Sequence, residues 1–192
     1  MSRDVEPGRV RADILFVCTG NQCRSPMAAA MLSRLLSERG SEFAVDSSGF
    51  VSEGAPCPED VKEVMTPLGY DLSAHRSKSV SSALLASAQV VVGMTRQHLV
   101  DLSIVHPSVW SRTFTFSEIV RLGEECPSRR SSETLPSWVA RIGGGRHGAR
   151  ILELPLSEDV PDPIGKPLKA YLRTRDQLGE LTTRLADLVE PV

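Results

Sequence analysis

Apolar and polar positions divide the chain into short apolar runs that alternate with amphipathic stretches. Residues 13–17 form an apolar-rich run that breaks at Thr19-Gly20-Asn21, which predicts a short buried strand followed by a loop. Three further strands are predicted at residues 42–47, 88–93 and 113–116. Helices are predicted at residues 27–39, 58–68, 83–86, 95–102, 117–122 and 166–190, the last with the most regular apolar stripe.

Strands that alternate with helices are typical of a parallel sheet in an α/β fold. The order predicts a single domain, residues 13–192, with a central four-stranded parallel sheet and helices on both faces. Because ligands bind at the carboxyl ends of such strands, the loop after the first strand is the candidate phosphate-binding loop. Residues 1–12 are charged and contain Pro7-Gly8, which predicts a flexible N-terminal tail.

Residues 124–150 interrupt this alternation with a segment rich in proline, serine, arginine and glycine, which predicts a flexible insertion. Within it, residues 136–142 are compatible with one helical turn that packs Trp138 inward. A strand-like run follows at residues 151–154. The composition of the insertion fits a tolerated surface loop best, with a lid or a partner-binding loop as the alternatives.

Charge and composition exclude several classes of protein. The 192 residues carry 22 Lys and Arg against 24 Asp and Glu, so no basic footprint for nucleic acid is present. No apolar run approaches the roughly 18 residues of a membrane helix, and residues 1–13 lack a signal-peptide pattern, so we expect a cytoplasmic protein. The four cysteines fit neither a secreted disulfide framework nor a zinc site, and we expect no metal or other cofactor.

A cysteine and an arginine bracket the loop after the first strand. Cys18 stands where the strand ends, Arg24 follows six positions later, and Ser25-Pro26 predicts a helix N-terminus with Ser25 as N-cap. Amides at a helix N-terminus and in such a loop form a cup for a tetrahedral oxyanion, and their positive field stabilises a thiolate. The pattern indicates a nucleophilic Cys18 below a bound oxyanion, with a buried structural cysteine as the alternative. The residues predicted to contact the oxyanion are Thr19, Gly20, Asn21, Gln22, Cys23 and Arg24.

The string CTGNQCRSP, residues 18–26, resembles the active-site loop of the low-molecular-weight protein tyrosine phosphatases, whose bacterial relatives include protein-arginine phosphatases. Further matches are residues 46–49, 72–76 and 91–95, and the pair Asp162-Pro163. The resemblance implies hydrolysis of a phosphorylated protein side chain, phosphotyrosine first, through a phosphocysteine at Cys18. It implies a phosphorylated protein as the partner, and no oligomeric state is predicted.

A departing alkoxide or phenoxide needs a proton, so this chemistry requires an acid opposite the nucleophile. The resemblance assigns that role to Asp162, with Asp159 and Glu158 as nearby rivals. The residues that it implies as a hydrogen-bonded support of the loop are Asn21, Ser25, Ser47 and His75.

Several alternatives stay open. Cys23 lies five residues from Cys18 and is either a reversible disulfide partner or a small buried residue that shapes the loop. Ile164 and Gly165 follow the Asp-Pro pair where tyrosine-specific members commonly carry an aromatic residue, so a protein-arginine phosphatase is an alternative. Two more are an arsenate reductase of the same fold, for which Cys126 is the only late thiol, and a non-catalytic phosphate-binding regulatory module.

Overall fold

The computed structural model describes residues 12–146 and 156–190. The predicted tail, residues 1–12, therefore lies outside the described residues except for Ala12, which is fully buried. The strand predicted at residues 151–154 also lies outside them. No helix in the described ranges combines the length and apolar character that crossing a membrane requires.

Four strands form one parallel sheet, as predicted, in the order β2-β1-β3-β4. Their bounds are β1 Ile14–Cys18, β2 Val45–Gly49, β3 Val90–Gly93 and β4 Thr113–Thr115. The second strand was predicted at residues 42–47, and its pairing with β1 begins only at Val45. It ends later than predicted because Ser48 and Gly49 pair with Val17 and Cys18, although neither is a strong strand former.

Seven helices surround this sheet in the described residues, and each predicted helix is found with ends shifted by a few positions. They are α1 Arg24–Glu38, α2 Glu59–Met65, α3 Ser82–Ser87, α4 Arg96–Val105, α5 Phe116–Glu124, α6 Leu135–Ile142 and α7 Leu168–Val189. Short 3-10 helices occupy Thr66–Leu68, Pro107–Arg112 and Leu156–Glu158.

The predicted N-cap of the first helix was wrong. α1 begins at Arg24, its N-cap is Cys23, and the Ser25 hydroxyl makes its contacts inside the preceding loop instead. A serine side chain can choose between capping helix amides and other nearby partners, and here the folded loop offers Cys18 Sγ and Asn21 Nδ2. Pro26 remains within the first turn, where its missing N–H leaves no helical bond unmade.

The core lies on both faces of the sheet, which confirms the predicted layering. Ile14 and Phe16 of β1 pack with α1, α5 and α7 in one apolar cluster. Leu15 and Val17, which point to the opposite face, pack with residues of α3 and α4 in a second cluster. Burial on both faces explains why this strand is apolar at consecutive positions instead of alternating.

The described part of the predicted insertion is packed against the domain. The helix predicted around Trp138 is confirmed as α6, and that tryptophan is fully buried. Arg129 is buried and donates to the carbonyls of Val189 and Glu133 at 2.5 and 2.6 Å, which ties the segment to the end of α7. α6 packs against the 3-10 turn Pro107–Arg112, which precedes β4 at the amino end of the sheet. α6 is thus at the opposite end of the strands from Cys18, whereas Arg146, which follows it, pairs with Glu118 in the first turn of α5.

Candidate active site

The loop between β1 and α1 places a sulfur beside hydrogen-bond donors. Cys18, the last residue of β1, is 2% exposed, and its Sγ accepts from the Asn21 amide at 3.2 Å. The Ser25 Oγ lies 3.0 Å from the same sulfur. Because α1 begins at Arg24, its unpaired amides and the positive end of its dipole lie at this loop. Contacts of this kind stabilise a sulfur anion.

Asn21 holds the loop in a left-handed turn, with φ of 50°. Its Nδ2 donates to Ser25 Oγ at 3.0 Å and to Ser47 Oγ at 2.8 Å. Its carbonyl oxygen lies 2.7 Å from His75 Nε2, which donates to it, and its Oδ1 accepts from the Lys78 amide at 2.9 Å. All of the predicted support residues therefore meet at one buried asparagine. The Lys78 contact comes from the backbone, so no side-chain pattern indicates it.

Strand β2 approaches the loop so closely that its last residue has to be glycine. A Cβ at Gly49 would stand 2.7 Å from the Asn21 nitrogen and 2.8 Å from the Thr19 oxygen, both of them backbone atoms. The next two amides, of Phe50 and Val51, donate to that same Thr19 oxygen at 2.8 and 3.2 Å. The turn after β2 thus fixes the loop from one side.

The predicted oxyanion-contacting residues divide into a buried floor and an open rim. Asn21, Cys23 and Arg24 are buried, whereas Gly20 and Gln22 are half-buried and Thr19 is exposed. Gln22 Oε1 lies 3.5 Å from where a Cβ on Gly20 would stand, so its side chain lies over this glycine. Gln22 is therefore part of the rim.

Arg24 is 3% exposed and joins the loop to a segment far away in sequence. Its Nη1 donates to the Val160 carbonyl at 3.1 Å, and its Nη2 lies 3.4 Å from Thr19 Oγ1 and pairs with the Asp162 carboxylate. Its Nε is buried and has no hydrogen-bond partner among the described residues. Val160 is held in turn by its amide, which donates to the Met94 carbonyl at 2.8 Å beyond β3. The predicted acid and the predicted cation thus meet at one point.

The two rival carboxylates have other partners. Asp159 Oδ1 accepts from the Arg96 amide at 2.8 Å, at the first residue of α4. Glu158 is buried and pairs with Arg121 Nε at 3.0 Å. Asp162 has a side chain that is 40% exposed, at the opening of the site. Its position beside Arg24 distinguishes Asp162 from both rivals.

Two other thiols, Cys23 and Cys57, are poorly suited to ionise. Burial raises the pKa of Cys23 far above its usual range, and the charge of Asp162 adds to that effect. Burial also raises the pKa of Cys57 to about 11, partly offset by Lys62. All four cysteines are free, with Cys126 half-buried. The reversible disulfide between Cys23 and Cys18 stays one of two open alternatives for Cys23, the other being a small buried residue that shapes the loop.

His98 borders the loop and was missed by the sequence analysis. It is buried in the first turn of α4, and its Nε2 lies 3.1 Å from Thr19 Oγ1. The available signal was the spacing of Thr95 and His98 directly after β3, at the carboxyl edge of the sheet.

Metal ligands do not converge at this loop. Over residues 12–146 and 156–190, no group of three or more His, Cys, Asp or Glu side chains is arranged to hold a metal ion.

Known proteins are similar in sequence to this chain over most of its length. The family model "Low molecular weight phosphotyrosine protein phosphatase" matches residues 13–124. A protein-arginine-phosphatase of Bacillus subtilis is 31% identical over 91% of this chain and 94% of its own. The probable low molecular weight protein-tyrosine-phosphatase EpsP of Ralstonia solanacearum is 31% identical over 69% of this chain and 89% of its own. An arsenate reductase of Halalkalibacterium halodurans is 29% identical over 84% and 95%.

Solved structures agree with the sequence relatives. The low molecular weight protein tyrosine phosphatase of T. tengcongensis superposes with a TM-score of 0.68 at 30% identity, covering 91% of this chain and 97% of that one. A cysteine-to-serine mutant of the arginine phosphatase YwlE, with a phosphorylated active-site serine, superposes with a TM-score of 0.69 at 28% identity. The match covers 91% of this chain and 93% of that one. The chain therefore belongs to the low molecular weight phosphotyrosine protein phosphatase family and is a cysteine-dependent phosphatase.

Proposed function

We propose that this protein hydrolyses phosphotyrosine in other proteins through a phosphocysteine at Cys18. One observation carries the proposal: the Arg24 guanidinium contacts both Thr19, which follows the nucleophile, and Asp162, which is distant in sequence. This arrangement supports a site where nucleophile, oxyanion-binding cation and proton donor reach a single phosphoryl group.

In the first step, the Cys18 thiolate attacks phosphorus while the bond from phosphorus to the tyrosine oxygen breaks. Asp162 gives its proton to that oxygen, so tyrosine leaves as a neutral phenol. The transition state is loose and anionic, and the Arg24 guanidinium together with the amides at the start of α1 stabilises its charge. Positioning and electrostatic stabilisation therefore supply most of the acceleration.

In the second step, the Asp162 carboxylate takes a proton from water, and the water oxygen attacks phosphorus as the phosphorus–sulfur bond breaks. The products are inorganic phosphate and the Cys18 thiolate. Arg24, which pairs with Asp162 in this structure, is placed to exchange that partner for the oxygens of a bound phosphoryl group.

Two exposed apolar side chains on segments next to the loop support an aromatic leaving group. Val51, on the turn that fixes Thr19, is 70% exposed, and Ile164, two residues after Asp162, is 44% exposed. These side chains lie on the two segments that contact the phosphate loop and Arg24. A phenyl ring bound there gains apolar contacts that a phosphoserine side chain cannot make.

Phosphoarginine is the second candidate substrate, supported by one relative and by the residues that follow the Asp-Pro pair. The Bacillus subtilis relative that matches 91% of this chain is a protein-arginine-phosphatase. In addition, Ile164 and Gly165 stand where an aromatic side chain would follow the Asp-Pro pair in a tyrosine-specific site.

A matched set of peptides tests this choice. Peptides of one sequence carrying phosphotyrosine, phosphoarginine or phosphoserine are hydrolysed with reductant present and without added metal, and kcat/KM is measured for each. We expect phosphotyrosine to exceed phosphoarginine by at least about tenfold, since differential contacts in a binding site are worth 1–3 kcal/mol. The reverse order assigns the enzyme to phosphoarginine, and hydrolysis of none of them refutes the proposed function.

Replacing Asp162 by asparagine should slow departure of poor leaving groups. The amide cannot donate a proton to the leaving oxygen, so we expect kcat for a phosphotyrosine peptide to fall by about 100-fold or more. An aryl phosphate whose phenol is strongly acidic needs no such proton, and its turnover should fall much less. Asp159→Asn is the control, because this carboxylate contacts the start of α4. Any loss of kcat in this variant should be the same for both substrates. An equal loss for both substrates in Asp162→Asn would remove Asp162 as the acid.

The other two alternatives have less support. An arsenate reductase passes oxidation to further thiols, of which Cys57 is buried with a raised pKa and Cys126, the late thiol, is half-buried after α5. A non-catalytic binding module has no need for a carboxylate held beside the oxyanion-binding arginine. Arsenate reduction with thioredoxin, measured beside the peptides, tests the first of these.

A further inference from the structure

His98 is locked in one tautomer by the start of α4. The Thr95 amide donates to His98 Nδ1 at 3.1 Å, and the Thr95 hydroxyl lies 3.2 Å from the same nitrogen. Since Nδ1 accepts, the ring proton is on Nε2. That N–H lies 3.1 Å from Thr19 Oγ1 and donates to it.

The Thr19 hydroxyl is thereby left as a donor. Its oxygen accepts from His98 Nε2 and, at 3.4 Å, from Arg24 Nη2. A hydroxyl has two acceptor positions and one proton, so both of the former are filled and the proton remains to be donated. Thr19 is exposed on the rim, next to the nucleophile in sequence. Its O–H is therefore available to an oxygen of a bound phosphoryl group.

The surroundings of His98 keep it neutral and fixed. Burial lowers the pKa of His98 to about 3, with a further contribution from the charge of Arg24. The Phe50 ring stacks on the imidazole with centroids 5.9 Å apart and an interplanar angle of 20°. The Phe50 amide donates to the Thr19 carbonyl at 2.8 Å. The stacked pair thus holds both the main chain and the side chain of Thr19.

We propose that His98 is a positioning residue that fixes the Thr19 hydroxyl beside Arg24, so that the threonine donates its proton in a hydrogen bond to the transferring phosphoryl group. The proposal rests on the proposed phosphatase function and adds two side chains to it. Thr19 contacts the phosphoryl group, and His98 acts through Thr19.

The experiment is a double-mutant cycle. Phosphotyrosine-peptide kcat and KM are measured for wild type, Thr19→Val, His98→Ala and the double variant. We expect each single variant to lower kcat about tenfold with little change in KM, because a hydrogen bond to an anion is lost during transfer. The double variant should be no slower than the slower single variant, since His98 has no effect without the hydroxyl that it orients.

Further variants separate positioning from stability. His98→Gln keeps an N–H donor at a similar reach and should restore most of the kcat lost in His98→Ala. His106→Ala removes a histidine just beyond the other end of α4 and should leave kcat unchanged. Thermal melts report the folded fraction of every variant, and Thr19→Val, at an exposed position, remains informative if His98→Ala does not fold.

The outcomes distinguish this inference from the proposed function. Three outcomes would overturn the role of His98 while leaving the proposed phosphatase function intact. The losses of kcat in the two single variants multiply in the double variant, or His98→Ala is fully active, or a folded His98→Gln is as slow as His98→Ala. A wild-type protein without activity on any of the phosphorylated peptides would refute both.

Discussion

Replacing Cys18 by serine should abolish turnover while the oxyanion cup stays intact. A serine hydroxyl remains neutral where a thiolate forms, so the attacking atom loses its charge, and we expect kcat to fall by at least about 10⁴-fold. The Asn21 amide, which donates to that atom, and the Arg24 guanidinium, which is held by Val160, are unchanged by the substitution. Binding of inorganic phosphate, measured by calorimetry, should therefore persist.

Two measurements complete this test. Cys126→Ser makes the same chemical change at a half-buried cysteine after α5 and should keep kcat within about twofold of wild type, as expected for a site away from special features. Acid quench of the wild-type enzyme during turnover should trap one phosphoryl group on the peptide that contains Cys18, visible by mass spectrometry. An active Cys18→Ser variant, or phosphate trapped on another residue, contradicts the proposed chemistry.

Replacing Arg24 by lysine should lower activity almost as much as replacing Cys18 by serine, although the positive charge is kept. The guanidinium reaches Val160, Thr19 and Asp162 from one planar group, and a single ammonium cannot reproduce that set. We expect kcat/KM to fall by about 10³-fold, the upper part of the range for loss of one preorganised oxyanion contact. Calorimetry should show weaker phosphate binding as well, in contrast to Cys18→Ser.

The matched control lies on the same helix. Arg34 is on α1, donates to the Leu68 carbonyl and stacks on Tyr70 away from the loop, so Arg34→Lys should retain wild-type kinetics. Because Arg24 also anchors the Val160 carbonyl, the free energy of unfolding of Arg24→Lys should fall by about 1–3 kcal/mol. Kinetics close to wild type in a folded Arg24→Lys variant would show that charge alone suffices and that the planar fork is dispensable.

Local pattern carries the prediction of Cys18 as nucleophile and Arg24 as its cation. Cys18 and Arg24 lie within one strand–loop–helix unit, where the apolar run, the turn residues and the helix start occur in the order the chemistry needs. The four strands and their parallel arrangement follow from the same kind of periodicity. Ser25 was misassigned because N-cap preference is a local average, whereas its hydroxyl responds to a sulfur that the folded loop brings near.

Contacts between distant segments could not be derived from local pattern. Asp162 is separated from Arg24 by 138 positions, and only resemblance to a family placed it at the site. His98 was missed because its contact with Thr19 exists only once β3 pairs with β1 and brings α4 to the loop. Gly49 lacks any side chain that could signal its role, which lies in how close β2 comes to the loop.

The opposite placement of α6 and the Cys18 loop separates two kinds of variation in this molecule. α6 and the turn before β4 pack against each other at the amino end of the strands, away from the residues that contact Cys18. Changes at the other end of the strands act directly on rate and substrate choice. Substitutions at the exposed positions of α6 are therefore expected to leave kcat close to that of the wild type.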